Sequence, residues 1–321
     1  MIAEVMGKDT PVEAIVADTK MNYQDILSNC TLCPRKCKVD RLGGQKGYCG
    51  MDGTIQAARA ALHMWEEPCI SGERGSGAVF FTGCGLRCCY CQNWDIAVGD
   101  RGKEITPARL SDIFLELEQK GAANINLVTG SHYVPQIIGA LEAAKSRGLS
   151  VPIVYNSSGY EHTETLRLLD GLIDIYLPDL KYLDSNLAKN FSKAADYPDY
   201  AKKAIKEMVQ QTGECKFGED GYILKGTIVR HLILPGHTRN SIQVLEYLHK
   251  TYHNKIYISI MNQYTPLRNF EKFPELNRRV TEREYEKVLN AALEMGIENG
   301  FFQEGETAKE SFIPAFDFDG V

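Results

Sequence analysis

Four of the chain's ten cysteines lie in TGCGLRCCYCQN, residues 82–93. Cys84, Cys88 and Cys91 follow a C-x3-C-x2-C spacing directly after an apolar run. A [4Fe-4S] cluster held wholly by protein takes four thiolates, so three leave one iron with an open position where a substrate or cofactor can bind. Glycines in the loop let backbone amides turn toward the cluster sulfides and tune the potential. Cys89 stands outside the spacing and reads as a small buried apolar residue.

A second set lies upstream. Cys30, Cys33, Cys37 and Cys49 are spaced C-x2-C-x3-C-x11-C, a complete set of four. A tetrahedral four-thiolate zinc or an auxiliary [4Fe-4S] cluster would each use all of them. Either would order CTLCPRKCKVDRLGGQKGYCG (30–50), a basic, Gly-rich stretch too poor in apolar residues for its own core. Cys69 and Cys215 match no ligand spacing.

Clustered thiols of this kind fit a reducing compartment, where cysteines bind metal or do chemistry more often than they pair. A net charge of −6 without Lys/Arg-rich runs argues against a nucleic-acid partner. The opening segment MIAEVMGKDTPVEAIVADTK has acidic residues where a signal peptide would be basic and then apolar, and no later stretch could span a bilayer. A cytoplasmic protein without a membrane partner is expected.

The elements that must position these thiols can be read from patterning. With 321 residues, 44% of them hydrophobic, the chain can build one barrel-sized core or two ordinary domains. The segment to about Ser28 reads as a helix with a broken stripe of Val12, Ile15, Val16, Ile26 and Leu27. After Gly75, apolar runs alternate with helical patterns, the signature of βα units around a parallel sheet. The runs are AVFFTG (78–83), NINLVTG (124–130), VPIVYNS (151–157), DIYLPD (174–179), GTIVRHLILPG (226–236) and KIYISIMNQ (255–263), with FFQEGET as a further edge strand. Helix starts are marked by Thr106-Pro107 and by Thr281 with Glu284 as a capping box.

Each run ends in polar or Gly-rich residues. In a barrel of parallel strands such ends share one rim, where active sites sit, whereas singly they are ordinary turn residues. Arg230 lies inside an apolar run and needs an anionic partner, either a ligand or a neighbouring Asp or Glu. Asp179 and Lys181, two residues apart, share one face of a strand.

The pattern resembles the radical S-adenosylmethionine (SAM) superfamily, whose hallmark is C-x3-C-x-aromatic-C, with Tyr90 as the aromatic residue here. SGERGSGAVFFTGCGLRCCYCQN, VTGSHYVPQI, VYNSSGYE, LPDLKY and VRHLILPG together are similar to the branch related to pyruvate formate-lyase activating enzymes. The resemblance implies a partial (β/α)6 TIM-like barrel of the radical SAM type over residues 76–321, in keeping with the α/β patterning, while residues 1–75 read from their own pattern as an N-terminal helix and a small Cys-rich metal-binding module. It implies that SAM is reductively cleaved at a [4Fe-4S] cluster on Cys84, Cys88 and Cys91, giving a 5′-deoxyadenosyl radical that abstracts hydrogen. The electron would come from an external flavodoxin or ferredoxin type donor, and the substrate would be a protein glycine. Modification of a peptide or small metabolite is the rival, and a non-catalytic iron-sulfur carrier or scaffold the alternative from another class.

The same resemblance distributes the contacts to SAM. Tyr90 and Asn93 flank the last cysteine. Thr129, Ser131 and His132 lie in VTGSH, where superfamily members carry a Gly-rich motif for the SAM amine. Asn156 and Ser158 would meet the carboxylate or ribose, Asp179 and Lys181 the sulfonium region, Arg230 the carboxylate, and Asn262 the adenine or substrate. Activating enzymes with extra clusters hold them in an insertion after the radical SAM cysteines, whereas Cys30, Cys33, Cys37 and Cys49 precede them.

Overall fold

The computed structural model describes residues 23–99, 101–302 and 314–321. Its strands are β1 (Ile55–His63), β2 (Ser76–Phe81), β3 (Lys103–Ile105), β4 (Ile125–Val128), β5 (Ile153–Ser157), β6 (Ile175–Pro178), β7 (Lys216–Phe217), β8 (Ile223–Leu232), β9 (Tyr257–Met261) and β10 (Gly300–Phe302). Of the expected edge strand FFQEGET, Phe301 and Phe302 lie in β10 while residues 303–307 lie outside the described residues, and the six expected apolar runs all contain strands. They pair in parallel in the order β2-β4-β5-β6-β8-β9, with β10 parallel to β9 at the edge. Because sheet order follows chain order, every crossover moves one strand further round in the same sense, which curls the sheet instead of winding it both ways. β1 is antiparallel to β2 and β3 to β1, so among the described residues the sheet ends at β3 and β10 and forms a partial barrel.

β1 departs from the sequence expectation. IQAARAALH is Ala-rich and lacks clean alternation, yet it pairs with β2 along its length. β1 and the short helix Pro68–Ser71 are therefore integral to the barrel, the 75/76 boundary falls inside the sheet, and the cysteine module is the stretch before β1. The expected N-terminal helix is seen as Tyr23–Ser28 with Leu27 buried; Val12, Ile15 and Val16 lie outside the described residues.

Strand alternation sorts side chains between two faces. Ile125, Leu127, Ile153, Tyr155 and Tyr176 pack outward under helices Pro107–Gln119, Val134–Ser146 and Tyr197–Thr212. On the inner face, Val154, Ile175, Leu177 and Ile228 meet Cys69 and Ile70 of the short helix, which plugs the N-terminal end of the barrel. Asn124 fixes this plug by donating Nδ2 to the Ile70 carbonyl at 2.8 Å. The outer helices start as expected. Thr106 Oγ1 accepts from Arg109 N, and Thr281 and Glu284 close a capping box. Among the described residues no helix is long and apolar enough to cross a membrane.

Candidate functional site

The C-terminal strand ends open onto a cavity of about 240 Å³. Of the residues singled out by sequence, Cys84, Cys88, Tyr90, Cys91, Asn93, Thr129, Asn156, Ser158, Asp179, Lys181 and Arg230 line it. Ser131, His132 and Asn262 do not. His132 is buried behind β2, with Nε2 at 2.7 Å from the Thr82 carbonyl; burial first, and then Arg41, push its pKa down to about 3, so it is a neutral structural ring. Ser131 bonds to Glu161 away from the cavity. Past β9 the strand alternation sends Met261 and Gln263 inward and Asn262 the other way.

The thiol loop starts at Gly83, where φ is +95° and a Cβ would lie 2.5 Å from Met51 Cγ and 2.9 Å from His132 Nε2, so glycine alone fits. Cys84, Cys88 and Cys91 face one another and Lys181. Burial pushes the Cys84 thiol up to about 11 and the Cys91 thiol up to about 12, neighbouring thiols push the same way, and Lys181 opposes. Left to themselves these are protonated, inert thiols, whereas iron would make them thiolates. Leu86 N points at Cys84 Sγ (3.4 Å) and the Ser192 hydroxyl lies 3.0 Å from Cys88 Sγ. Three soft sulfur donors with donor groups already aimed at two of them fit a cluster with one iron left open.

Below the thiols lies a knot of charge. Arg230 Nε donates to Asp179 Oδ1 (3.1 Å), Nη1 to Glu66 Oε2 (3.0 Å) and Nη2 to Asn156 Oδ1 (2.6 Å). Glu66 Oε1 also accepts from Asn126 and Asn156 at 3.0 and 3.1 Å, and Lys181 Nζ reaches Asp179 Oδ2 at 2.5 Å. Of the two partners open to Arg230, the described structure pairs it with carboxylates of its own chain. Burial works against Asp179 ionising, but Lys181 and Arg230 outweigh it and hold the carboxyl below its usual range. Glu66 is not among the site residues read from the sequence. The plug delivers it to the cavity floor, and its signal was an acidic pair set between apolar residues and Pro68.

The DLK turn is held by Tyr197, whose hydroxyl lies 2.9 and 2.8 Å from the Ser158 and Asp179 carbonyls and accepts from Lys181 N at 3.0 Å. Thr129 adopts φ +62°, an uncommon conformation for a β-branched residue, at the position where the resembled family carries a Gly-rich motif. Strain of this kind is kept where something else fixes the backbone. Here Thr129 N donates to the Asn156 carbonyl at 2.9 Å and the residue lines the cavity.

The cysteine module sits on the same rim. Thr165 Oγ1 donates to the Leu32 carbonyl (2.7 Å), Arg35 Nε to the Gly85 carbonyl (2.8 Å), and Arg87 to the Tyr48 and Cys84 carbonyls. Both guanidinium groups lie on the Tyr48 ring, at 4.0 and 4.9 Å. Burial pushes Cys33 up to about 12 and raises Cys49, and the thiols of Cys30, Cys33, Cys37 and Cys49 act on one another. Among the described residues no three His, Cys, Asp or Glu side chains close around a single-ion position. Glu161, which sequence reasoning missed, lies beside Cys33; burial lifts its carboxyl to about 7 against the opposing bond from Ser131.

Similar proteins are found by sequence and by structure. An uncharacterised protein of Methanocaldococcus jannaschii is 28% identical over 280 residues, covering 84% of this chain and 75% of that protein. The pyruvate formate-lyase-activating enzyme of Clostridium pasteurianum is 30% identical over 113 residues, which is 34% of this chain and 46% of the enzyme. The structure of Streptococcus suis SuiB bound to S-adenosylmethionine superposes with a TM-score of 0.48 at 15% identity, over 70% of this chain and 49% of SuiB. The chain thus spans about half the length of the latter two proteins. The profile of the radical SAM superfamily matches residues 78–248, just over half of the chain. The chain belongs to the radical SAM superfamily.

Proposed function

We propose that this chain binds a [4Fe-4S] cluster through Cys84, Cys88 and Cys91 and uses it to cleave SAM. The observation that carries the reading is the meeting of these three thiols with Lys181, Asp179, Asn156, Ser158 and Thr129 on one cavity at the C-terminal rim of a parallel barrel. When bound, the cluster supplies the electron that splits SAM into methionine and a 5′-deoxyadenosyl radical able to abstract hydrogen. The residues of the chain do the rest by position. Lys181 offsets negative charge beside the thiols, Asn156 and Ser158 present amide and hydroxyl groups to the SAM carboxylate or ribose, and Tyr90 and Asn93 flank the last ligand. Asp179 and Arg230 set the floor against which the polar end of SAM rests.

Hydrogen abstraction from a protein glycine is the substrate reading that the similarity to the Clostridium pasteurianum activating enzyme supports. Trp65, 56% exposed, and Pro314 both line the cavity, so its mouth offers an aromatic surface to a peptide-sized substrate. A flavodoxin or ferredoxin type donor would supply the electron. The module of Cys30, Cys33, Cys37 and Cys49 would hold zinc or an auxiliary cluster and stiffen the thiol loop through Arg35 and Arg87. A cytoplasmic, reducing setting suits both cysteine sets.

The test is anaerobic reconstitution with iron and sulfide, addition of SAM and a strong reductant, and chromatography for 5′-deoxyadenosine beside a Cys88→Ala control. Product from the wild type alone supports the reading. Product from neither protein, with no SAM binding, refutes it.

A further inference from the structure

Beneath Cys88 runs a line of buried hydroxyls that reaches the ligand sulfur from the side of the core. Ser192 Oγ lies 3.0 Å from Cys88 Sγ, Tyr182 OH lies 2.9 Å from Ser192 Oγ, and Tyr90 OH is hydrogen-bonded to Tyr182 OH. Ser192 and Tyr182 are fully buried and Tyr90 is 9% exposed, so water does not compete for these groups. Ser192 ends the helix Ser185–Ser192, and that end is stapled to the thiol loop by backbone bonds from Cys89 N to the Phe191 carbonyl (2.7 Å) and from Arg87 N to the Ser192 carbonyl (3.3 Å). The hydroxyl is therefore held in register with Cys88.

We propose that Tyr90, Tyr182 and Ser192 form a one-way hydrogen-bond relay that raises the reduction potential of a cluster ligated at Cys88, with Ser192 as the positioning donor. This rests on the cluster reading above. A ligating thiolate can only accept, so the single Ser192 O–H must point at Cys88. Ser192 then accepts from Tyr182, whose own O–H is used, and Tyr182 accepts from Tyr90. Ligation thus orders the whole line in one direction, and each bond polarises the next in a low-dielectric setting. A charge-assisted donor on a ligand sulfur favours the more negatively charged, reduced form of the cluster and so raises its potential.

The experiment is a redox titration of the reconstituted full chain, followed by electron paramagnetic resonance, for the wild type and Ser192→Ala, Ser192→Thr and Tyr182→Phe. In Ser192→Ala the reduced-to-oxidised ratio at the wild-type midpoint is expected to fall about tenfold, a midpoint about 59 mV more negative for a one-electron couple. Tyr182→Phe should shift the same way by less, and Ser192→Thr, which keeps the hydroxyl, should return toward the wild type. An unchanged midpoint in Ser192→Ala with unchanged iron content overturns the relay. If Ser192→Ala takes up no cluster, Tyr182→Phe decides, and an unshifted midpoint there overturns it. A wild type that binds no iron at Cys84, Cys88 and Cys91 refutes both readings, while a SAM-responsive wild type with unshifted variants refutes the relay alone.

Discussion

Replacing Arg230 by leucine removes a guanidinium whose donors end on Asp179, Glu66 and Asn156. Lys181 still serves Asp179, but Glu66 keeps only the amides of Asn126 and Asn156 and no cation. The side chains of Arg230, Glu66 and Asp179 are only 15%, 9% and 16% exposed, so solvent screens little of the loss. Removing one member of such a buried pair costs about 3–5 kcal/mol, because a charge is left uncompensated. The pH dependence gives a second handle. Asp179 has a depressed pKa in the fold, so the stability it contributes is present above its unfolded value and is lost as pH falls through the folded value. In Arg230→Leu the carboxyl of Asp179 loses one of the two cations that hold it ionised and protonates more readily, so the deficit is largest near neutrality and shrinks in acid. Urea denaturation of the cluster-free protein, followed by far-ultraviolet circular dichroism at pH 7 and pH 4.5, measures both quantities. Adding Glu66→Gln should recover part of the loss. A deficit under about 1 kcal/mol at pH 7, or one that does not narrow in acid, contradicts this account of the knot.

Three further outcomes are expected. Thr129→Gly relieves the strained φ of +62° and should raise stability by about 1 kcal/mol while weakening SAM binding, since the lost side chain lines the cavity; calorimetric titration beside thermal melts would expose a change in one property only. Glu161, with its carboxyl lifted from 4.5 to about 7, contributes stability that is fully present below its unfolded pKa and lost as pH rises through about 7, roughly 3 kcal/mol at about 1.4 kcal/mol per pH unit. Glu161→Gln should therefore flatten the stability profile between pH 5 and 7, and an unaltered slope contradicts the assignment. Cys33→Ser should lose the metal of the module, counted as zinc or iron by plasma emission, and keep the iron bound at Cys84, Cys88 and Cys91; an unchanged metal content would mean that Cys33 is no ligand.

Much of this site was legible in residue order because parallel βα units carry their signal locally. Each buried strand is a continuous apolar run, and its polar end lands on the rim whatever the details of packing. Asn156, Asp179 and Lys181 reached the cavity by that rule. Residues whose place depends on tertiary contacts were harder. β1 hides in the Ala-rich IQAARAALH, because its strand character comes from pairing with β2 and β3 and not from its own pattern. Glu66 arrives by way of the plug, Ser192 through a helix end stapled to the thiol loop, and Glu161 beneath the module; none has a spacing that announces its role. His132 and Asn262 sat at the right strand ends, but the turn after β4 and the alternation past β9 aim them away from the cavity.

Everything proposed for this site rests on Cys84, Cys88 and Cys91 holding a cluster with one iron open to SAM. The most direct measurement is the electron paramagnetic resonance spectrum of the reduced cluster in Cys33→Ser, recorded with and without SAM, so that the module contributes no signal. The expected result is a cluster signal that changes shape when SAM is added and is absent when Cys88→Ala is introduced as well. A signal that SAM leaves untouched, or zinc in place of iron at these cysteines, would contradict it.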